Sequence, residues 1–175
     1  VMTTTKGYDF VNRLTNTTTL DVGLVTLDSH AYAYNPANQR TSVTNVDGSY
    51  WVYGYDTMGQ VTSGRKYWGD GTAIAGQQFD YTFDDIGNRK TTTRHTRSAI
   101  YTPNNLNQYL SRTVPGYVNM LGTATNTATV SLWSKDSTAM FTPTTRKGDY
   151  FRGEVPFNNA TGAMWLTITN VAALS

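Results

Sequence analysis

The chain has no cysteine, which excludes disulfide frameworks, cysteine-ligated zinc and thiol nucleophiles together. Its 175 residues must therefore hold by packing, and at that length folding buries roughly 70% of the surface the unfolded chain exposes. One domain, or two small ones, is the expectation. Helix formers are scarce, and Glu154 is the one glutamate. Charge is thin as well: the formal net charge is +2, with the basic residues scattered among Thr and Asn. No electrostatic field for nucleic acid or anionic lipid arises from that distribution. No apolar run approaches the roughly 18 residues a membrane helix needs, so no membrane insertion is expected. The opening VMTTTKGYDF has neither the charged nor the apolar region of a signal peptide. Val1 enters a pattern already under way, which points to a longer parent chain and leaves localisation open.

What is abundant is Thr, Tyr, Val and Trp, punctuated by Gly and Asn, the composition of β-strands and turns. The threonine tracts Thr3-Thr4-Thr5, Thr17-Thr18-Thr19 and Thr91-Thr92-Thr93 read as exposed strand faces, since β-branched residues favour extended backbone. An all-β fold is predicted.

One pattern recurs five times, about 20 to 28 residues apart, a spacing typical of repeat architectures. The copies are Tyr8-Asp9-Phe10-Val11-Asn12, Tyr34-Asn35-Pro36-Ala37-Asn38, Tyr55-Asp56-Thr57-Met58-Gly59, Phe83-Asp84-Asp85-Ile86-Gly87 and Pro103-Asn104-Asn105-Leu106-Asn107. Arg13, Gln39, Gln60, Asn88 and Gln108 follow them, and Tyr32, Tyr53, Tyr81 and Tyr101 stand two residues before the leading position. In a strand that spacing places both rings on one face, as in Trp51, Tyr53, Tyr55 and again in Phe79, Tyr81, Phe83. The Asp or Asn accepts a hydrogen bond from a backbone N–H two residues on and starts a turn. The Gly or Asn three residues later tolerates the left-handed conformation that closes it. Asp47-Gly48 and Trp68-Gly69-Asp70-Gly71 supply further turns. Each unit is thus a β-hairpin unable to bury its aromatic face alone, so successive units are expected to pair into a continuous curved antiparallel sheet.

This motif resembles the YD repeat of the RHS family, which also occurs in insecticidal toxin complexes and in teneurins. The resemblance spans about residues 6 to 113. The departures are Asn35 and Asn104 for Asp, Pro103 for Tyr and Phe83 for Tyr. It implies a fragment of a β-sheet shell that encloses a C-terminal toxin or effector, with the remaining repeats of the parent protein and the toxin as partners, and with a secreted or cell-surface location. The residues it marks are structural: Tyr8, Asp9, Asn12, Tyr34, Asn38, Tyr55, Asp56, Gly59, Phe83, Asp84, Gly87, Asn104 and Asn107. The competing reading is a surface adhesion or carbohydrate-binding module, in which Trp51, Tyr53, Trp68, Trp133 and Trp165 stack on sugar rings.

The expected domains are a repeat array over 1–113 and a β-rich accessory segment over 114–175. In the latter, Ala128, Val130 and Leu132 alternate with Thr129, Ser131 and Trp133, and a second strand is predicted over Trp165-Leu166-Thr167-Ile168-Thr169. Between them Arg146–Gly153 reads as a strand flanked by loops, in a small β-sandwich-like or sheet-extending module. No catalytic, metal or cofactor site is expected. His30 and His95 have no metal-ligand spacing. His30 belongs to the aromatic face, and Lys90–Arg97 reads as an edge strand kept soluble by charge instead of a phosphate contact. The pair Asp84-Asp85 falls on a turn.

Overall fold

The computed structural model describes residues 1–137, 139 and 141–174, and all of its regular structure is strand. It divides into two compact units, Val1–Arg94 and His95–Ser175. In the first unit β1 (Thr3–Tyr8), β2 (Leu14–Leu20), β3 (Thr26–Tyr34), β4 (Arg40–Asn45), β5 (Tyr50–Tyr55), β6 (Val61–Tyr67), β7 (Ala73–Phe83) and β8 (Arg89–Arg94) form an antiparallel meander. Each strand pairs with the one before it.

The two faces of this meander differ because side chains alternate along a strand. One face carries the larger cluster of aromatic residues. Trp51 stacks on Tyr53 and on Phe79, with ring centroids 6.3 and 6.2 Å apart. Gly64 makes room for this cluster, since it pairs with Tyr53 on one side and Phe79 on the other. Guanidinium groups cover several rings: Arg13 lies 5.0 Å from the Tyr34 centroid, Arg40 4.4 Å from Tyr32 and Arg89 4.7 Å from Tyr81, at cation–π range. The opposite face has Thr82 bonded to Thr91, Arg65 paired with Asp80 at 2.5 Å, and Tyr50 stacked on Tyr67 with ring centroids 5.4 Å apart. Val43 and Ile74 are the buried apolar residues of this unit, which is a single layer.

The second unit begins with the hairpin β9 (Arg97–Pro103) and β10 (Tyr109–Arg112). It continues with β11 (Tyr117–Thr123), β12 (Ala128–Trp133), β13 (Phe141–Pro143), β14 (Thr145–Lys147), β15 (Tyr150–Pro156) and β16 (Thr169–Leu174). These form two three-stranded sheets, ordered β11-β15-β14 and β13-β12-β16. They face each other across a core of Val130 and Leu132 from β12 and Phe151 and Val155 from β15, joined by Met120, Ala124 and Ile168. The accessory module is a small sandwich. Arg146 fastens it, donating to the carbonyls of Ala124 (2.6 Å), Thr125 (3.1 Å) and Ala128 on one side and of Gly148 and Asp149 on the other. Glu154 is bracketed by Arg97 at 3.3 Å and by Arg152.

Three local expectations are corrected. Residues 163–168 are not strand, because the β12 ladder is occupied by Thr169–Leu174, starting at Trp133 opposite Thr169. Trp165 is consequently unpaired and 97% exposed. Arg146–Gly153 is a hairpin, β14 against β15, and not one strand. His95 is not in an edge strand but in a turn, with φ of 59°.

Candidate functional site

The five marked motifs form five turns of one geometry. Each is numbered here from its Asp or Asn: Asp9, Asn35, Asp56, Asp84 and Asn104. In all five, the N–H of this residue donates to the carbonyl of the fourth residue after it at 2.8 to 3.0 Å. The N–H of the third residue after the cap returns to the carbonyl of the cap at 3.0 to 3.1 Å. This third residue after the cap is left-handed: Asn12, Asn38 and Asn107 have φ of 63°, 61° and 60°, and Gly59 and Gly87 have 86° and 89°. This is the three-residue hairpin loop, a type I turn closed by a left-handed residue. The side-chain Oδ1 fastens it from inside, accepting from the N–H of Arg13, Gln39, Gln60, Asn88 or Gln108 at 2.7 to 3.0 Å.

A side-chain clasp completes each turn, and its polarity follows the capping residue. Arg13 Nε donates to Asp9 Oδ2 at 2.6 Å, Gln60 Nε2 to Asp56 Oδ2 at 3.0 Å and Asn88 Nδ2 to Asp84 Oδ2 at 2.9 Å. Where the cap is Asn the direction reverses: Asn35 Nδ2 donates to Gln39 Oε1 at 2.6 Å, and Asn104 Nδ2 to Gln108 Oε1 at 3.1 Å. Glutamine serves either cap because its amide both donates and accepts, whereas arginine only donates and so needs Asp. The backbone N–H of Arg13, reinforced by its guanidinium, holds the Asp9 carboxyl below the usual carboxylate range. The Asn88 amide, then its backbone N–H, does the same for Asp84.

In a meander alternate turns lie on the same rim, so the turns at Asp9, Asn35, Asp56 and Asp84 share one rim of the first unit. They touch in sequence. Arg13 Nη1 donates to Asn38 Oδ1 of the next turn at 2.9 Å. A Cβ at Gly59 would stand 3.2 Å from Gln39 Nε2, and one at Gly87 would stand 3.3 Å from Gln60 Oε1. The clasp residue of each turn thus rests against the left-handed residue of the next. A second rung uses the leading tyrosine: Tyr34 donates from its hydroxyl to the carbonyl of Leu14 at 2.8 Å, and Tyr55 to that of Arg40 at 2.7 Å. Phe83 stands at the equivalent position without a hydroxyl.

Pairing is equally uniform. Within every hairpin the leading residue faces the fifth residue after the cap, and a bulge follows: Tyr8↔Leu14 then Gly7↔Asn16, Tyr34↔Arg40 then Ala33↔Ser42, Tyr55↔Val61 then Gly54↔Ser63, Phe83↔Arg89 then Thr82↔Thr91, Pro103↔Tyr109 then Thr102↔Ser111. Sequence reasoning missed the clasp, the rungs and one turn. Residues Asp21–Val25 have the same frame, capped by Asp21 Oδ1, but with Leu24 at φ of 61°. A leucine in that place gives no sequence signal.

Of the aromatic residues of the carbohydrate reading, Trp51 and Tyr53 stack on each other. Trp51, Tyr53, Trp68 and Trp133 are half-buried, and only Trp165 among the five is exposed. Burial raises the Tyr53 phenol above its ordinary range. Among the described residues no group of His, Asp and Glu gathers as metal ligands.

Fold and turns define a β-hairpin repeat protein, in which a fixed unit is added edge to edge. The family described as RHS Repeat matches residues 34–73, and the resemblance read from the motif is shown there. No curated protein matches the chain. Among solved structures, a chain of the crystal structure of TcdB2-TccC3-Cdc42 superposes over 97% of this chain with a TM-score of 0.59 and 11% identity. A chain of the crystal structure of TcdB2-TccC3-TEV does so over 87%, with 0.57 and 11%. The present chain spans only 9% and 8% of those chains. The likeness is one of fold.

Proposed function

We propose that the chain is a section of an RHS-type shell wall whose role is steric enclosure of a C-terminal toxin or effector, without catalysis of its own. The observation that supports this reading is the constancy of the pairing rule. Hairpins that repeat one register and one turn add without limit, which suits a wall and gives no unique cleft. The single-layer first unit, with half-buried rings on its faces, fits a strip whose faces are completed by further chain. The repeat array is taken as 1–113 and the accessory segment as 114–175, because the hairpin rule holds through Arg112. The marked residues are then wall fastenings: caps at Asp9, Asp56 and Asp84, rungs at Tyr34 and Tyr55, left-handed closures at Asn12, Asn38, Gly59, Gly87 and Asn107.

The test uses the parent chain under limited proteolysis. The C-terminal segment should survive in the intact protein and be digested when the wall is loosened by a combined Tyr55→Ala and Asp56→Ala. Digestion at the same rate in both would reject enclosure. The carbohydrate-binding alternative rests on Trp165, whose ring is free. Glycan-dependent protection of its fluorescence from a neutral quencher, abolished by Trp165→Ala, would favour that module instead.

A further inference from the structure

One polar path in the first unit has no part in the capped turns. It starts at His30 on β3, whose side chain is 35% exposed, and ends on the rim opposite those turns. His30 Nε2 lies 3.1 Å from Asp28 Oδ2, and Nδ1 lies 3.2 Å from Asn45 Oδ1. Asn45 Nδ2 donates to Ser49 Oγ at 3.0 Å, and Ser49 donates from its hydroxyl (2.6 Å) and its N–H (2.9 Å) to Asp47 Oδ1. Asn45–Ser49 is itself a hairpin turn: the Asn45 N–H donates to the carbonyl of Ser49 at 2.8 Å and the Gly48 N–H to that of Asn45 at 2.9 Å, with Gly48 at φ of 77°. The ionisable groups around the ring are Asp28 and Tyr32 on its own strand, the latter with centroids 6.3 Å apart, and Lys6, in register two strands away through Thr17. On the β4–β5 side stand Asp47 and Lys66, whose charge acts on Asp47.

The protons available give this path a direction. A neutral imidazole has one N–H, so it donates to Asp28 or to Asn45 but not to both; only the imidazolium, with two, meets both oxygens. Turning the Asn45 amide over would give Nδ1 a donor, but Asn45 Oδ1 would then face Ser49 Oγ. Ser49 is 0% exposed, so its hydroxyl is shut off from bulk water and its single proton goes either to Asp47 or to Asn45. Two closed arrangements follow. With His30 protonated, donation runs outward: ring to Asn45, Asn45 to Ser49, Ser49 to Asp47. With the Nδ1 proton released to solvent, it runs inward: Ser49 to Asn45, Asn45 to the ring, and Asp47 keeps only the Ser49 N–H. We infer that His30 is a proton sensor for the β4–β5 turn, in which gain or loss of one ring proton reverses this path and grants or withdraws a hydroxyl at Asp47. Buried polar networks of this kind act as units, so the path reverses instead of opening and the strands stay paired. Imidazoles titrate between about pH 5 and 8. The Asp47 carboxyl is held below its ordinary value and stays ionised there, so the ring carries the one charge that changes along the path.

Nuclear magnetic resonance of the whole chain tests the reversal over about pH 5 to 8. In the wild type the Asn45 side-chain amide and the Asp47 carboxyl carbon should each show a step whose midpoint equals that of the His30 ring. Two variants separate the relay from the field of the ring charge acting through space. Ser49→Ala should keep the Asn45 step and lose the Asp47 step, since the hydroxyl that carries it is gone. His30→Gln should lose both steps and leave only the titration of His95. An Asp47 step undiminished in Ser49→Ala would overturn the sensor. So would an Asn45 amide that does not follow the ring in the wild type, a result that needs no variant to fold.

Discussion

At the scale of residues, the clasp explains why one capping position takes both Asp and Asn. Glutamine follows the cap at three turns and arginine at one, and the difference has a measurable consequence. Asp56→Asn should melt close to the wild type, because Gln60 can rotate its amide as Gln39 has done. Asp9→Asn should melt clearly lower, because the Arg13 guanidinium would then face another donor. Comparing the two melting temperatures checks the argument. The carboxyls of Asp9, Asp47 and Asp84 are all held below their ordinary value; the Ser49 hydroxyl is the main cause for Asp47. A depressed folded value means the charged form is favoured by folding. That stabilisation is complete above the unfolded carboxylate value, about 3.9, and is lost as pH falls through the lower folded values. The melting temperature should therefore be level above about pH 5 and fall steeply below about pH 4, and Asp84→Asn should make the fall shallower.

At the scale of elements, hairpins are joined by rungs as well as by the backbone ladder, and one rung is missing. Phe83→Tyr would present a hydroxyl to the carbonyl of Val61, by the rule that Tyr34 and Tyr55 follow. It should stabilise the first unit by about 1 kcal/mol, the net worth of one added hydrogen bond; chemical denaturation measures it, and Tyr55→Phe should lose a similar amount. Strands, aromatic face and capped turns were legible in the sequence because alternation and the Asp-x-x-Gly spacing are local chemistry. The rungs were not, since they join Arg13 to Asn38 and Tyr34 to Leu14, residues far apart in the chain. Nor was the strand after Trp165, where a short apolar run fits either of two registers against β12 and the core contact of Ile168 decides. The Asp21 turn escaped because Leu24 occupies a conformation that leucine seldom adopts.

At the scale of the whole molecule, the two units are built on different physics. The sandwich has a sealed core, in which Leu132 is 1% exposed. Leu132→Ala should cost it about 2–5 kcal/mol while leaving the near-ultraviolet signal of the Trp51, Tyr53 and Phe79 stack in place; loss of both signals together would show a single cooperative body. The meander instead relies on sameness. Since every hairpin repeats one turn geometry and one register, duplicating or deleting one hairpin restores the backbone ladder at the seam, whereas gaining a single strand would carry the clasps to the opposite rim. Exchange between copies therefore keeps the strand ladder continuous, and a strip built this way changes its width in increments of two strands, about 9.6 Å each.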